Sequence, residues 1–99
     1  MFSMIEIRKT KIFVKWLDNI RDIRARARVL VRIKRLADGN PGDVKSVGEG
    51  VSELRIHYGP GYRVYYTKID HEIVLLLMGG NKSTQSGDIK KALHLARNL

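Results

Sequence analysis

The sequence of 99 residues has no cysteine, two prolines and one tryptophan. Without cysteine, neither a disulfide framework nor a thiolate metal site is possible. The longest apolar run, 73–78, is far shorter than the roughly 20 residues that span a bilayer. Residues 1–4 lack the basic start and the long apolar centre of a signal peptide. We therefore expect a cytoplasmic protein without a membrane partner.

Acidic residues are also few, since 10 Asp and Glu stand against 19 Lys and Arg, for a net charge of +9. A small domain this basic attracts nucleic acid, an anionic surface or an acidic protein. The hydrophobic fraction of 43% is ordinary for a globular protein, and the length leaves room for one core. We expect a single domain over residues 1–99.

Apolar periodicity predicts the order β-α-α-β-β-β-α. A short strand is expected at 5–8, and Thr10 and Asp22 are placed to cap two helices. Residues 39–50 are expected to form an open loop. The apolar stripe expected of the first helix is Phe13, Trp16, Leu17 and Ile20, and that of the second is Ile23, Ala27, Leu30, Ile33 and Ala37, with Val29 and Leu36 at its margin.

The second half of the chain predicts three strands, 51–57, 62–68 and 72–78, followed by a C-terminal helix. Short connections between them favour antiparallel neighbours. The last strand is apolar on both faces, so we expect it to be covered on both sides. The predicted class is α+β, a small, mostly antiparallel sheet with helices packed on it.

Basic and aromatic side chains alternate with apolar ones on the first two of these strands. Arg55 and His57 leave one face of their strand, and Arg63 and Tyr65 share a face of the next. Such a face is typical of a surface that holds a polyanion, and RNA is the favoured one. Two guanidiniums would grip a phosphate, and His57 would move a proton. Alternatively, the charges only keep an exposed strand soluble.

A second candidate site for binding an anion is the segment 79–84, which follows the last predicted strand. Free N–H groups at a helix start attract anions, and Lys82 adds a full charge. The segment is not a P-loop, because Asn81 separates the glycines from the lysine. Alternatively, the glycines only provide a tight exit from the strand.

A third candidate site for binding a negatively charged partner is a ridge of four arginines at helical spacing on the second helix. No glutamate is placed to pair with them, and like charges at this spacing destabilise a helix. The ridge is either a solvated helix face or a contact for ribosomal RNA or an acidic protein segment. Its members are Arg24, Arg28, Arg32 and Arg35.

Three motifs resemble the RelE/ParE superfamily of bacterial toxins, and most closely its HigB-like branch, often labelled addiction-module killer proteins. They are Glu53-Leu54-Arg55, the hairpin motif 61–66 (GYRVYY) and the segment 75–85 (LLLMGGNKSTQ), which is followed by Asp88-Ile89. The resemblance covers nearly the whole chain. It implies a RelE-like domain and a toxin held inactive by a cognate antitoxin.

The resemblance also implies site roles. Arg63, Arg55 and Lys82 match the basic residues that hold the scissile phosphate in RelE-like toxins. RelE has a tyrosine in its last helix that this chain lacks, so His57 or Asp88 would transfer protons instead. Independently of the resemblance, the position of Tyr65 on the face of Arg63 favours stacking on an RNA base, and the arginine ridge is the second expected RNA contact. Alternatively, Tyr62, Tyr65 and Tyr66 only pack the hairpin. Three scattered histidines give no metal spacing, and no metal or small-molecule cofactor is expected.

The implied activity is ribosome-dependent cleavage of mRNA, which would arrest translation and growth. The implied partners are mRNA, the ribosome and an antitoxin with a helix-turn-helix encoded nearby. Two alternatives stay open: a ParE-like toxin that inhibits DNA gyrase by binding, and an inactive basic binding module.

Overall fold

A computed structural model describes residues 5–99 of the chain. Residues 1–4, on which the signal-peptide interpretation rests, lie outside the described residues. No helix within 5–99 is long and apolar enough to cross a membrane. The elements in chain order are β1 (Glu6–Lys9), α1 (Lys11–Asp18), α2 (Ile23–Ala37), β2 (Val44–Gly48), β3 (Val51–Ile56), β4 (Tyr62–Lys68), β5 (Ile73–Asn81), a 3₁₀ turn (Lys82–Thr84) and α3 (Gln85–Arg97).

The strands form one sheet in the order β1-β5-β4-β3-β2. β1 runs parallel to β5, and the other neighbouring pairs are antiparallel. The predicted α+β class with a small, mostly antiparallel sheet is confirmed. The expected open loop at 39–50 is wrong in part, because it contains β2. The segment has only a weak strand preference of its own, and it becomes a strand because it pairs with β3.

Helix α1 packs on one face of the sheet, as predicted. The Thr10 hydroxyl accepts a hydrogen bond from the N–H of Phe13 at 3.0 Å and donates one to the carbonyl of Leu77 at 2.6 Å. This cap therefore also ties the helix to β5. Trp16 lies directly over Gly79, where an added Cβ would meet the indole at 2.3 Å. Only glycine at position 79 lets the helix come this close.

Helix α2 packs on the same face, but in a different rotation from the predicted one. The prediction that Ile23, Ala27 and Leu30 are buried is wrong, because all three are exposed. Apolar residues occupy most of this helix's circumference, so periodicity alone permits two stripes. The observed rotation also brings Arg32 against the loop before β2. The residues that α2 buries are Ala25, Val29, Ile33 and Leu36.

Helix α3 covers the opposite face of the sheet. A second apolar cluster forms there, and β5 is consequently covered on both sides, as its apolar run predicts. The same face carries Glu53 and Arg55 of β3 and Arg63 of β4, next to the apolar cluster. The buried members of that cluster are Val51, Tyr65, Leu77, Met78 and Ala92.

Candidate functional site

Two arginines lie opposite each other on neighbouring strands under α3. Arg55 of β3 is the register partner of Arg63 of β4. Strand alternation directs both side chains to the face that α3 covers. The structure therefore brings the predicted arginine pair together. Like charges directly opposite each other destabilise a sheet, so the pair requires a counter-ion.

The counter-ion is Glu53, whose side chain is 0% exposed. Arg55 Nε donates to Glu53 Oε1 at 2.9 Å, and Arg63 Nε lies 3.4 Å from Oε2 as an ion pair without a hydrogen bond. The Tyr65 hydroxyl and the Gln85 amide donate to Oε2 at 2.9 and 3.0 Å. Burial acts to raise the pKa of Glu53, but these hydrogen bonds and the charge of Arg63 outweigh it and lower the pKa. Glu53 is an ionised carboxylate that fixes two guanidiniums.

Tyr65 does not offer its ring to a base. It is 0% exposed, so the prediction that it stacks on RNA is wrong. Burial and the hydrogen bond to Glu53 raise the pKa of Tyr65, which keeps the phenol protonated as a donor. Two aromatic residues nearby are half-buried and reach the surface, Tyr58 in the turn before β4 and Tyr62 at the start of β4.

Lys82 joins the arginines at the turn 58–61. Its N–H donates to the carbonyl of Pro60 at 3.3 Å. Gly61 has a φ of +77°, and a Cβ there would lie 3.3 Å from Lys82 Cβ and 3.5 Å from Arg63 Nη1. Arg63 Nη1 also donates to the Gly61 carbonyl at 3.0 Å. A glycine at this turn thus leaves room beside it for the Lys82 side chain and the Arg63 guanidinium.

A shallow pocket of about 370 Å³ opens at this turn. Lys82 contributes to its wall, and so does His57. An anion in the pocket would lie beside one lysine and one histidine. The remaining lining residues are Tyr58, Gly59, Pro60 and Gly61.

His57 lies just beyond the end of β3. Its hydrogen-bond partner is Asp43, and it makes no contact with Glu53 in the described hydrogen bonds. His57 Nε2 makes a short hydrogen bond with Asp43 Oδ2. This bond is the main reason that the pKa of Asp43 lies below its ordinary value, and it leaves His57 Nδ1 free of Asp43. The imidazole is therefore oriented by a carboxylate, as a proton acceptor must be.

Arg32 holds the loop that carries Asp43. Its Nη2 donates to the carbonyls of Pro41 and Asp43 at 2.8 and 3.1 Å, and its Nη1 donates to the carbonyl of Arg55. Burial lowers the pKa of Arg32. Both Nη atoms of Arg32 are bound to the protein's own backbone, so this geometry does not support the predicted contact of Arg32 with RNA.

The other three ridge arginines are exposed on α2. The Arg28 guanidinium lies 4.7 Å above the ring centre of Tyr58, which connects the ridge to the pocket. Within residues 5–99, no carboxylate forms an ion pair with Arg24, Arg28 or Arg35.

Asp88 of α3 lies over Gly80, which is the register partner of Arg63. A Cβ at Gly80 would meet Asp88 Oδ2 at 1.9 Å, so the carboxylate occupies the space that a side chain would fill. The Thr84 hydroxyl donates to the same oxygen. The structure therefore brings Asp88 to the strand face of the arginine pair, whereas it brings His57 to Lys82.

Sequence reasoning missed four residues of this site. Glu53 carried a usable signal, since alternation puts it on the same face as Arg55. Gln85 belongs to the motif 75–85, which gave it no role, and Asp43 and Tyr58 carried no signal, because their roles depend on contacts across the fold. No three side chains of His, Cys, Asp or Glu in the described part of the chain lie close enough together to hold a metal ion.

Comparisons with known proteins place the chain among its relatives. The family profile described as "Phage derived protein Gp49-like (DUF891)" matches residues 15–99. A Haemophilus influenzae (strain Rd) protein named "Uncharacterized protein" is 50% identical over 95 residues, and the alignment covers 96% of each sequence.

Proposed function

Because the chain belongs to the Gp49-like family of phage-derived proteins, a toxin-like family related to the RelE/ParE fold, we propose that it is the toxin of a type II toxin–antitoxin pair. In this proposal its activity is endonucleolytic cleavage of mRNA, on the ribosome. Its protein partner is an antitoxin that holds it inactive.

The observation that carries the proposal is the position of Lys82 Cβ and Arg63 Nη1 beside Gly61, next to a pocket whose wall includes Lys82 and His57. Two cations on one phosphodiester stabilise the extra negative charge of a phosphorane-like transition state. Glu53 and the surrounding protein hold Arg63 in place before RNA arrives. Fixed charges of this kind need little reorganisation during the reaction.

The proposed reaction uses groups of this chain and of the RNA. The 2′-hydroxyl oxygen attacks the adjacent phosphorus, and the bond from phosphorus to the 5′-oxygen breaks. His57 Nδ1 accepts the hydroxyl proton while Asp43 holds Nε2–H. Water gives a proton to the 5′-oxygen, and the hydroxide that remains takes the proton from His57. The products are a 2′,3′-cyclic phosphate and a 5′-hydroxyl. Asp88, on the arginine side, is the alternative proton acceptor.

The test is Lys82→Ala, because Lys82 is exposed and forms no ion pair within residues 5–99. Losing one charge-stabilising donor lowers the cleavage rate by about 10²–10³-fold. The matched control is Lys68→Ala, an exposed lysine at the opposite end of β4, which should cleave like the wild type. Primer extension of several mRNAs, with and without ribosomes, measures the rate.

Other outcomes identify the alternatives. Growth arrest with DNA damage but without cleaved transcripts would indicate gyrase inhibition. Growth that continues when the chain is expressed without an antitoxin would indicate an inactive binding module. Equal cleavage by Lys82→Ala and Lys68→Ala would remove Lys82 from the mechanism.

A further inference from the structure

A groove of about 510 Å³ runs between α2 and the end of β3. The groove is lined by both apolar and basic residues. His57 lines this groove and also the pocket that contains Lys82. The proposed cleavage does not use the α2 side of this groove. Its lining residues are Ala27, Arg28, Val31, Arg32, Arg35, Ile56 and His57.

The outer face of α2 next to the groove is unusually apolar for a solvated helix face. Ile23 is 80% exposed, Val31 54% and Leu30 45%. With Ala27, these residues recur at three- and four-residue spacing, so they form one stripe along the helix. The core does not need this stripe, because α2 already buries a separate one.

The stripe is flanked by positive charge without a counter-charge. Arg24, Arg28 and Arg35 lie on the same outer side of α2, and no carboxylate among residues 5–99 pairs with them. Arg24 and Arg28 are four residues apart, a spacing at which like charges disfavour the helix. A negatively charged partner would remove this repulsion.

We propose that this surface, the groove with the stripe of Ile23, Ala27, Leu30 and Val31, binds an acidic amphipathic helix of a partner protein. Given the toxin function proposed above, that helix belongs to the antitoxin. Apolar side chains of the helix would cover the stripe, and its carboxylates would pair with the flanking arginines. RNA fits less well, because a phosphate backbone has nothing to bury against exposed isoleucine and valine.

The groove lies next to the Lys82 pocket, so a helix bound in the groove can inhibit the proposed cleavage of RNA. His57 lines both the groove and the Lys82 pocket. A helix seated in the groove therefore contacts the imidazole or closes the pocket on that side. Inhibition would follow from occupancy of the groove, without any direct contact to Arg63 or Lys82.

The experiment uses the full chain and a synthetic 20-residue helical peptide with leucines on one face and glutamates beside them. A scrambled peptide of the same composition is the peptide control. Val31→Glu should weaken binding at least about tenfold, which is 1.4 kcal/mol. The matched control Val14→Glu, at a valine of α1 that is 40% exposed against 54% for Val31, should change binding less than about twofold. Amide NMR shifts on peptide binding should concentrate at residues 27–35 and 56–57.

Three results would overturn the proposal: no binding of the designed peptide, equal binding of the scrambled peptide, or equal losses for the two valine variants. A single-stranded 20-nucleotide RNA is tested in parallel and should bind both variants alike. If Val31→Glu weakened RNA instead of the peptide, the groove would be a nucleic-acid site. If the protein bound the peptide but cleaved no RNA, the nuclease proposal would fail and the groove would stand.

Discussion

Replacing Glu53 with glutamine keeps the shape of the side chain and removes the charge at the centre of the site. Arg63 and Arg55 have side chains that are 11% and 28% exposed, so both would lose a counter-ion in a largely dry environment. The new amide group would also point N–H donors at the donors of Tyr65 and Gln85. Removing one partner of a buried ion pair costs about 3–5 kcal/mol.

We expect the lower end of that range, about 3 kcal/mol, because Arg55 keeps some access to water. For a domain of this size each kcal/mol lowers Tm by roughly 4–8 °C, so Tm should fall by at least about 12 °C. Urea titration followed by circular dichroism at pH 7 measures the free energy of unfolding. The control is Glu72→Gln, at an exposed position, which should stay within about 0.5 kcal/mol of the wild type.

A loss below about 1 kcal/mol for Glu53→Gln would refute the reasoning, since that is the value of an ordinary hydrogen bond. The arginine pair would then be held by packing and the turn, and not by the buried carboxylate. Preorganisation by Glu53 would have to be dropped from the mechanism as well.

Two further predictions concern titrating groups. The pKa of Glu53 is lowered in the folded protein, so its stabilisation is present above an ordinary value near 4.5 and is lost as pH falls through the folded-state pKa. The free energy of unfolding should decline in acid for the wild type and less steeply for Glu53→Gln; parallel curves would contradict this. Asp43→Asn should keep the fold and RNA affinity but lower cleavage about 10–100-fold through loss of imidazole orientation, with an altered pH–rate profile. Asp38→Asn, which is exposed and contacts Lys34, is its control, and equal rates for the two variants would rule out an orienting role.

Most of the fold was predictable because its signals are local. The caps Thr10 and Asp22 form as the sequence indicates, and the strands with strong alternation or continuous apolar runs lie close to where they were expected. The exception is the end of β5, which was expected at residue 78 and lies at Asn81, beyond the two glycines. The strand β2 was not predictable, since its segment is polar and becomes a strand only through its neighbour. The rotation of α2 was not predictable either, because apolar residues surround that helix.

The features of the site that depend on local sequence pattern were also predictable, and those that depend on tertiary contacts were not. Alternation brought Arg55 and Arg63 to one face, but it cannot report how deeply α3 covers them. Tyr65 was therefore expected at the surface and is instead a buried donor to Glu53. The pairing of His57 with Asp43 joins two residues 14 positions apart through a loop held by Arg32. Sequence spacing alone cannot predict this pairing, because it depends on how the loop folds.

The parallel pairing of β1 with β5 has a consequence for how the protein is made. Glu6 lies beside Ile73, so the first strand to be synthesised has no neighbour until most of the chain exists. Non-local pairs of this kind form late in folding. Lys82 is added later still, directly after β5. A chain that terminates early therefore has neither a finished sheet nor the pocket formed by Lys82 and His57, and under the proposed function such a fragment should not arrest growth.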